Sequence, residues 1–198
     1  MDREPKIILA SASPRRAELL AMFGKPFVIE PSNIDESTRS GETPTDYIIR
    51  LALSKVRDVG GRVEEGLIIG ADTIVLFEGE ILGKPKDEEE AFRMLKALSG
   101  RWHSVMTAVA LYEAHTKQEV VGYEKTMVRF SKIKEPEIRW YLATGEYADK
   151  AGAYGIQGYA GLFVKEIAGN YHNVVGFPLS LVYTLTKQLG YQLLDRDT

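Results

Sequence analysis

The chain has 198 residues, 44% of them hydrophobic and 27% charged, long enough to bury a full core without disulfide help. It contains no cysteine, which excludes disulfide scaffolds, thiol nucleophiles, iron–sulfur clusters and cysteine zinc sites, and only 3 histidines, far apart in sequence, so a His-rich metal site is not expected. Lys+Arg 25 against Asp+Glu 28 gives a formal charge of −3, which argues against nonspecific nucleic-acid binding.

The apolar run at residues 7–10 is too short for the core of a signal peptide, and no stretch reaches membrane-spanning length. A cytoplasmic protein with no membrane partner is therefore expected. No low-complexity tract, long linker or internal repeat marks a domain boundary, so residues 1–198 are expected to form a single domain, whole or in two lobes around a cleft.

Lys6 to Ala10 reads as a short buried strand. Ser13-Pro14 then supplies a hydroxyl N-cap and a proline at the first helical position, starting a helix to about Phe23 that Gly24 stops. Phe27 to Glu30 reads as a second strand, and Thr43-Pro44-Thr45-Asp46 opens another helix with capping-box spacing. Its apolar positions Ile48, Leu51, Ala52 and Val56 recur at helical spacing, and Gly60-Gly61 closes it. Leu67 to Ala71 is an apolar strand, after which Ile74 to Phe77 and Glu80 to Leu82 pair across Glu78-Gly79. Asp87 caps a helix over Glu88 to Leu98, with three glutamates in its first turn, where the helix dipole favours them. Ser104 to Tyr112 and Val120 to Phe130 form an antiparallel hairpin, followed by a helix over Pro136 to Ala143. A Gly-rich loop from Gly152 to Gly161 leads to a strand, Leu162 to Ile167, and a closing helix, Pro178 to Leu189. Helices alternating with strands, plus one antiparallel hairpin, predict an α/β fold on a mixed sheet.

Four segments carry candidate chemistry. Ser11-Ala12-Ser13-Pro14-Arg15-Arg16 places two hydroxyls and two guanidiniums where a strand gives way to a helix, a turn suited to phosphate; the plainer reading is a capped surface helix. Asp72, directly after an apolar run and followed by Thr73, would stand where open α/β sheets place ligand crevices, or would be an ordinary Asx turn. Asp35-Glu36, Lys55 and Gly83-Lys84-Pro85 together offer a second metal ligand and two cations for a polyphosphate, although each alone reads as a solvated charge. The stretch from Gly145 to Gly158 brings Asp149, Lys150 and Gln157 into a glycine-punctuated segment; Gln157 could read a base edge through its paired donor and acceptor. Neither the dinucleotide-binding glycine spacing, nor the P-loop, nor the serine-hydrolase elbow is present.

Taken in order, Ser11 to Arg16, Ala71-Asp72-Thr73, Gly83-Lys84-Pro85, Asp149-Lys150-Ala151-Gly152 and Asn173-Val174-Val175-Gly176 resemble the motifs of Maf proteins, also called septum formation inhibitors. The resemblance spans nearly the whole chain. It implies an elongated mixed-sheet α/β fold with a deep central cleft, similar to inosine triphosphatases, and a nucleoside triphosphate pyrophosphatase that needs Mg²⁺ or Mn²⁺. The segment Ala153-Tyr154-Gly155-Ile156-Gln157-Gly158 looks like the branch acting on dTTP and UTP, with CTP or modified pyrimidine nucleotides as further substrates. By the same resemblance Asp72 is the proton acceptor, Arg15, Thr73 and Gln157 set specificity, and Glu36 with Asp72 holds the metal. Lys55, Lys84, Arg15 and Arg16 contact phosphates, with Ser11, Ser13, Asp149 and Lys150 completing the substrate site. Val56 and Phe177 depart from the residues usual in the family. A homodimer is implied as well, and the alternative function is a nucleotide-binding regulator of cell division that does not hydrolyse. The whole reading requires Asp72, Arg15 and Gln157 to line one pocket.

Overall fold

The computed structural model describes residues 6–194. Strand β1 (Ile7–Leu9) has no polar side and is buried throughout, as an interior strand flanked on both edges must be. It pairs in parallel with β2 (Phe27–Ile29) and with the start of β3 (Leu67–Phe77). The parallel pairs demand crossovers, which α1 (Pro14–Ala21) and α2 (Pro44–Gly60) supply. The remaining elements are β4 (Glu80–Leu82), α3 (Glu88–Leu98), β5 (Trp102–Glu113), β6 (Glu119–Phe130), α4 (Glu135–Leu142), β7 (Val164–Ala168), α5 (Tyr171–Val175) and α6 (Leu179–Gln188). Among the described residues, seven strands form one mixed sheet in the order β2-β1-β3-β5-β6-β7, with β4 antiparallel to β3, as the alternation of sequence patterns predicts.

The chain divides into two compact units. Of the described residues, the first comprises 6–72, Thr107–Glu124 and 176–194. Its core is β1 and the start of β3 packed under Ile48, Leu51, Ala52, Val56 and Val59 of α2, all essentially inaccessible to solvent. The first four are the positions whose helical spacing marks them in the sequence. Thr43 caps α2, accepting the Asp46 N–H at 3.2 Å while its hydroxyl donates to the Asp46 carboxylate at 2.6 Å. That exchange is worth about 1 kcal/mol.

The second unit comprises Thr73–Met106 and Lys125–Val175. Its core gathers Leu95 and Leu98 of α3, Ile138 and Tyr141 of α4, and the aromatic rings of Phe130, Tyr154 and Phe163. Asp87 accepts the Glu90 N–H at 2.7 Å, as its capping position predicts. His103 is only 2% exposed and stacks edge-on against Phe130 and Tyr154, with centroids 5.0 and 5.4 Å away. Its Nε2 shares a 2.8 Å hydrogen bond with the Tyr154 hydroxyl, and burial pushes its pKa down to about 4, so it is a neutral core histidine.

Several local expectations change. The strand expected to end at Ala71 continues unbroken through Asp72 and Thr73 to Phe77, because Asp72 meets a lysine inside the fold and need not turn out to water. The first helix ends at Ala21 rather than Phe23, its last residues closing in turns before Gly24. The Ser13 hydroxyl makes no cap bond; instead the Ser13 N–H donates to Ser11 Oγ at 3.2 Å. The Gly-rich loop folds into two short 3₁₀ turns, Ala151–Ala153 and Tyr159–Phe163, and β7 starts two residues late at Val164. Helix α5 has no counterpart among the expected elements.

Candidate active site

Asp72 lies mid-strand in β3 and is 7% exposed. A buried carboxylate is costly unless answered by charge and hydrogen bonds. The answer comes from α2: Lys55 Nζ donates to Asp72 Oδ1 at 2.6 Å, with the lysine itself 8% exposed. Gly70 makes this reach possible. It precedes Asp72 by two residues, on the same strand face, and a Cβ there would come within 2.8 Å of Val56 Cγ1 and 3.4 Å of Lys55 Cβ. The absent side chain lets α2 lie directly on the strand, bringing Lys55 over the carboxylate.

The same ammonium meets Glu36 Oε1 at 2.8 Å, so Lys55 joins the two acids that the sequence reading assigns to a metal. Glu36 sits on the long connection between β2 and α2. That connection is held by α2: the Tyr47 hydroxyl donates to the Glu36 carbonyl at 2.8 Å, and Arg50 Nη2 donates to the Ser37 carbonyl at 3.0 Å while gripping the Glu42 carboxylate. Asp35 accepts from the Ser37 N–H and hydroxyl, and this lowers its pKa. It therefore serves the turn while its neighbour Glu36 faces Lys55. Tyr47 and Arg50 lie outside the sequence-derived site; their only sequence signal is one helical turn of separation on the helix that carries Lys55.

At the start of α1, Arg16 Nε donates to the Gly176 carbonyl at 3.0 Å and Nη1 to Ser11 Oγ at 3.3 Å. Burial lowers the Arg16 pKa, Asp72 pulls it back, Arg15 opposes it and Glu36 adds a smaller pull upward. The guanidinium thus shares an electrostatic environment with both acids. Two arginines in the first turn oppose the helix dipole, an arrangement that an anion bound there would relieve. Ser11, Arg15, Arg16, Glu36, Lys55 and Asp72 all belong to the first unit.

Thr73, Lys84, Asp149, Lys150 and Gln157 belong to the second unit. There the Gly152 N–H donates to the Gly83 carbonyl at 3.0 Å, tying the Gly83-Lys84-Pro85 and Asp149–Gly152 motifs together. Gly152 has φ +67 and a Cβ on it would press within 2.9 Å of Val75, so only glycine fits. Lys84 and Gln157 are exposed. Lys150 is turned into its own loop, donating to the Glu146 carbonyl and to Asp149, each at 2.6 Å. Glu146 organises the segment, accepting from the Tyr159 N–H at 2.8 Å and the Tyr141 hydroxyl at 3.2 Å. Asn173 is buried, its amide donating to the Val105 carbonyl and Thr126 Oγ1.

Two acids converging on one buried ammonium, with guanidiniums at an adjacent helix start, make a site chemically suited to a polyanion and a hard cation. The chain belongs to the Maf-like protein family, which it matches over residues 6–189. A dTTP/UTP pyrophosphatase of Symbiobacterium thermophilum is 47% identical over 95% of this chain and 96% of its own length. Proteins of the same name from Thermococcus gammatolerans and Thermococcus onnurineus are 49% and 51% identical, covering 96% and 93% of this chain and 100% and 98% of theirs. Among solved structures, the Staphylococcus aureus Ham1 protein aligns with 63% of this chain and 71% of its own at TM-score 0.46 and 12% identity.

Proposed function

We propose that this chain is a divalent-metal-dependent nucleoside triphosphate pyrophosphatase acting on dTTP and UTP, and on CTP or modified pyrimidine nucleotides, to release the monophosphate and pyrophosphate. The observation that carries the reading is the buried Asp72 held by Lys55 beside Glu36 and Arg16, in a chain whose relatives bear the dTTP/UTP pyrophosphatase name.

Water attacks the α-phosphorus; a new P–O bond forms there as the bond to the bridging α,β oxygen breaks, and pyrophosphate departs with that electron pair. Asp72 accepts the proton of the attacking water. Ser11, Ser13, Arg15, Arg16, Lys55 and Lys84 bind and neutralise phosphate oxygens, with Asp149 and Lys150 shaping the loop around the substrate. Thr73 and Gln157 select the pyrimidine. Residues 1–198 act as one Maf-like domain, in a cytoplasmic homodimer that engages neither nucleic acid nor membrane; among the described residues no helix is long and apolar enough to cross a membrane.

The residues fit a divalent metal. Glu36 Oε1 and Asp72 Oδ1 each lie within 2.8 Å of one cationic atom, so a single ion could engage both, and carboxylate oxygens are the donors Mg²⁺ and Mn²⁺ prefer. No group of three or more His, Cys, Asp or Glu gathers among the described residues; an ion held by these two carboxylates would draw on water and phosphate to complete its shell. When bound, the metal supplies Lewis-acid stabilisation of the charge that builds on the phosphates.

The test is a panel of dTTP, UTP, CTP, ATP and GTP with Mn²⁺, reading pyrophosphate. Turnover of dTTP and UTP above the purines is expected. No turnover of any nucleotide overturns the enzyme reading in favour of a nucleotide-binding regulator, and a purine preference overturns the branch.

A further inference from the structure

The Lys55 ammonium occupies the place where the two acids meet, at 2.6 Å from Asp72 and 2.8 Å from Glu36. Both oxygens are ones that a metal held by this pair could approach. A divalent ion and an ammonium crowded onto the same two carboxylates repel each other strongly in a half-desolvated site. One of them must give way. The geometry favours movement of the lysine, which carries its charge on a flexible four-carbon stem. The Asp72 carboxylate sits on a short stem whose backbone is held in the middle of β3.

We infer that Lys55 is a built-in counter-cation that competes with the divalent metal for Glu36 and Asp72, so that metal uptake expels its ammonium from the pair and directs it toward the polyanion. Before metal binds, the lysine bridges two carboxylates that would otherwise repel. After metal binds, the same charge is available to the phosphates. Charging the site and arming the phosphate contact become one event. The inference rests on the metal-dependent reading above, but its test needs no nucleotide and so fails or succeeds separately from the pyrophosphatase assignment.

Two measurements on the full chain with Mn²⁺ alone decide it, and both must hold. In calorimetric titration, Lys55→Met is expected to bind Mn²⁺ at least about tenfold more tightly than the wild type, since the competitor is gone. In the wild type, site-resolved mass spectrometry after brief acetylation of amines is expected to show Lys55 labelled several times faster once Mn²⁺ saturates the protein, with exposed Lys187 unchanged. This second experiment decides the matter alone if the variant does not fold. Equal or weaker Mn²⁺ affinity in a folded Lys55→Met, unchanged or slower Lys55 labelling, or no Mn²⁺ binding by either protein overturns the inference.

Discussion

Replacing Asp72 by asparagine keeps the shape of the side chain and removes the charge that Lys55 and Arg16 answer. On the proposed mechanism this removes the proton acceptor, so kcat for pyrophosphate release is expected to fall at least about a hundredfold, the usual range for removing a general base. Steady-state kinetics with dTTP check it, and a loss below tenfold would assign the proton to another group. His103 gives a second prediction at this scale. The folded chain protonates it only near pH 4, whereas an unfolded chain does so near 6.5. The stability it contributes is therefore complete above pH 6.5 and drains away as pH falls toward 4, by about 3 kcal/mol over that window. Urea midpoints across pH 4 to 7 should show this loss in the wild type and a flatter profile in His103→Gln, which keeps a hydrogen-bonding partner for Tyr154 without titrating.

Helix α2 is the element on which the candidate site depends. It carries Lys55, it anchors the Glu36 loop through Tyr47 and Arg50, and it is seated on β3 through the gap left by Gly70. Gly70→Ala would drive a methyl to within 2.8 Å of Val56 and lift the helix off the strand. A cost of about 1–3 kcal/mol in stability is expected, as for other overpacked positions. Activity should fall beyond that cost, because Lys55 is displaced from Asp72; paired urea denaturation and pyrophosphate assays separate the two effects. The position of α2 was legible from Thr43, the apolar spacing and Gly60-Gly61. What it does for the Glu36 loop was not, because a hydrogen bond to a backbone carbonyl leaves no trace in residue pattern. Asp72 was read at a strand end for a related reason: a charge in an apolar run signals termination unless its partner is known, and that partner stands 17 residues away on another element.

For the whole molecule, the mixed sheet and its alternation with helices could be read from hydrophobic periodicity, which reports burial directly. The 3₁₀ turns and α5 could not, since they are shaped by Glu146 and by the buried Asn173 amide rather than by an apolar stripe. Of the residues singled out in the sequence, the structure brings Ser11, Arg15, Arg16, Glu36, Lys55 and Asp72 into the first unit and ties the Lys84 and Asp149 motifs in the second. Lys150 spends its ammonium on its own loop, a pairing that a lysine next to an aspartate does not by itself announce. The central claim, attack of water at the α-phosphorus of a pyrimidine nucleoside triphosphate, is tested most directly by turning over dTTP in ¹⁸O-water with Mn²⁺ and locating the label. The account predicts ¹⁸O in the thymidine monophosphate and none in pyrophosphate; label in pyrophosphate, release of orthophosphate with the diphosphate, or no turnover would contradict it.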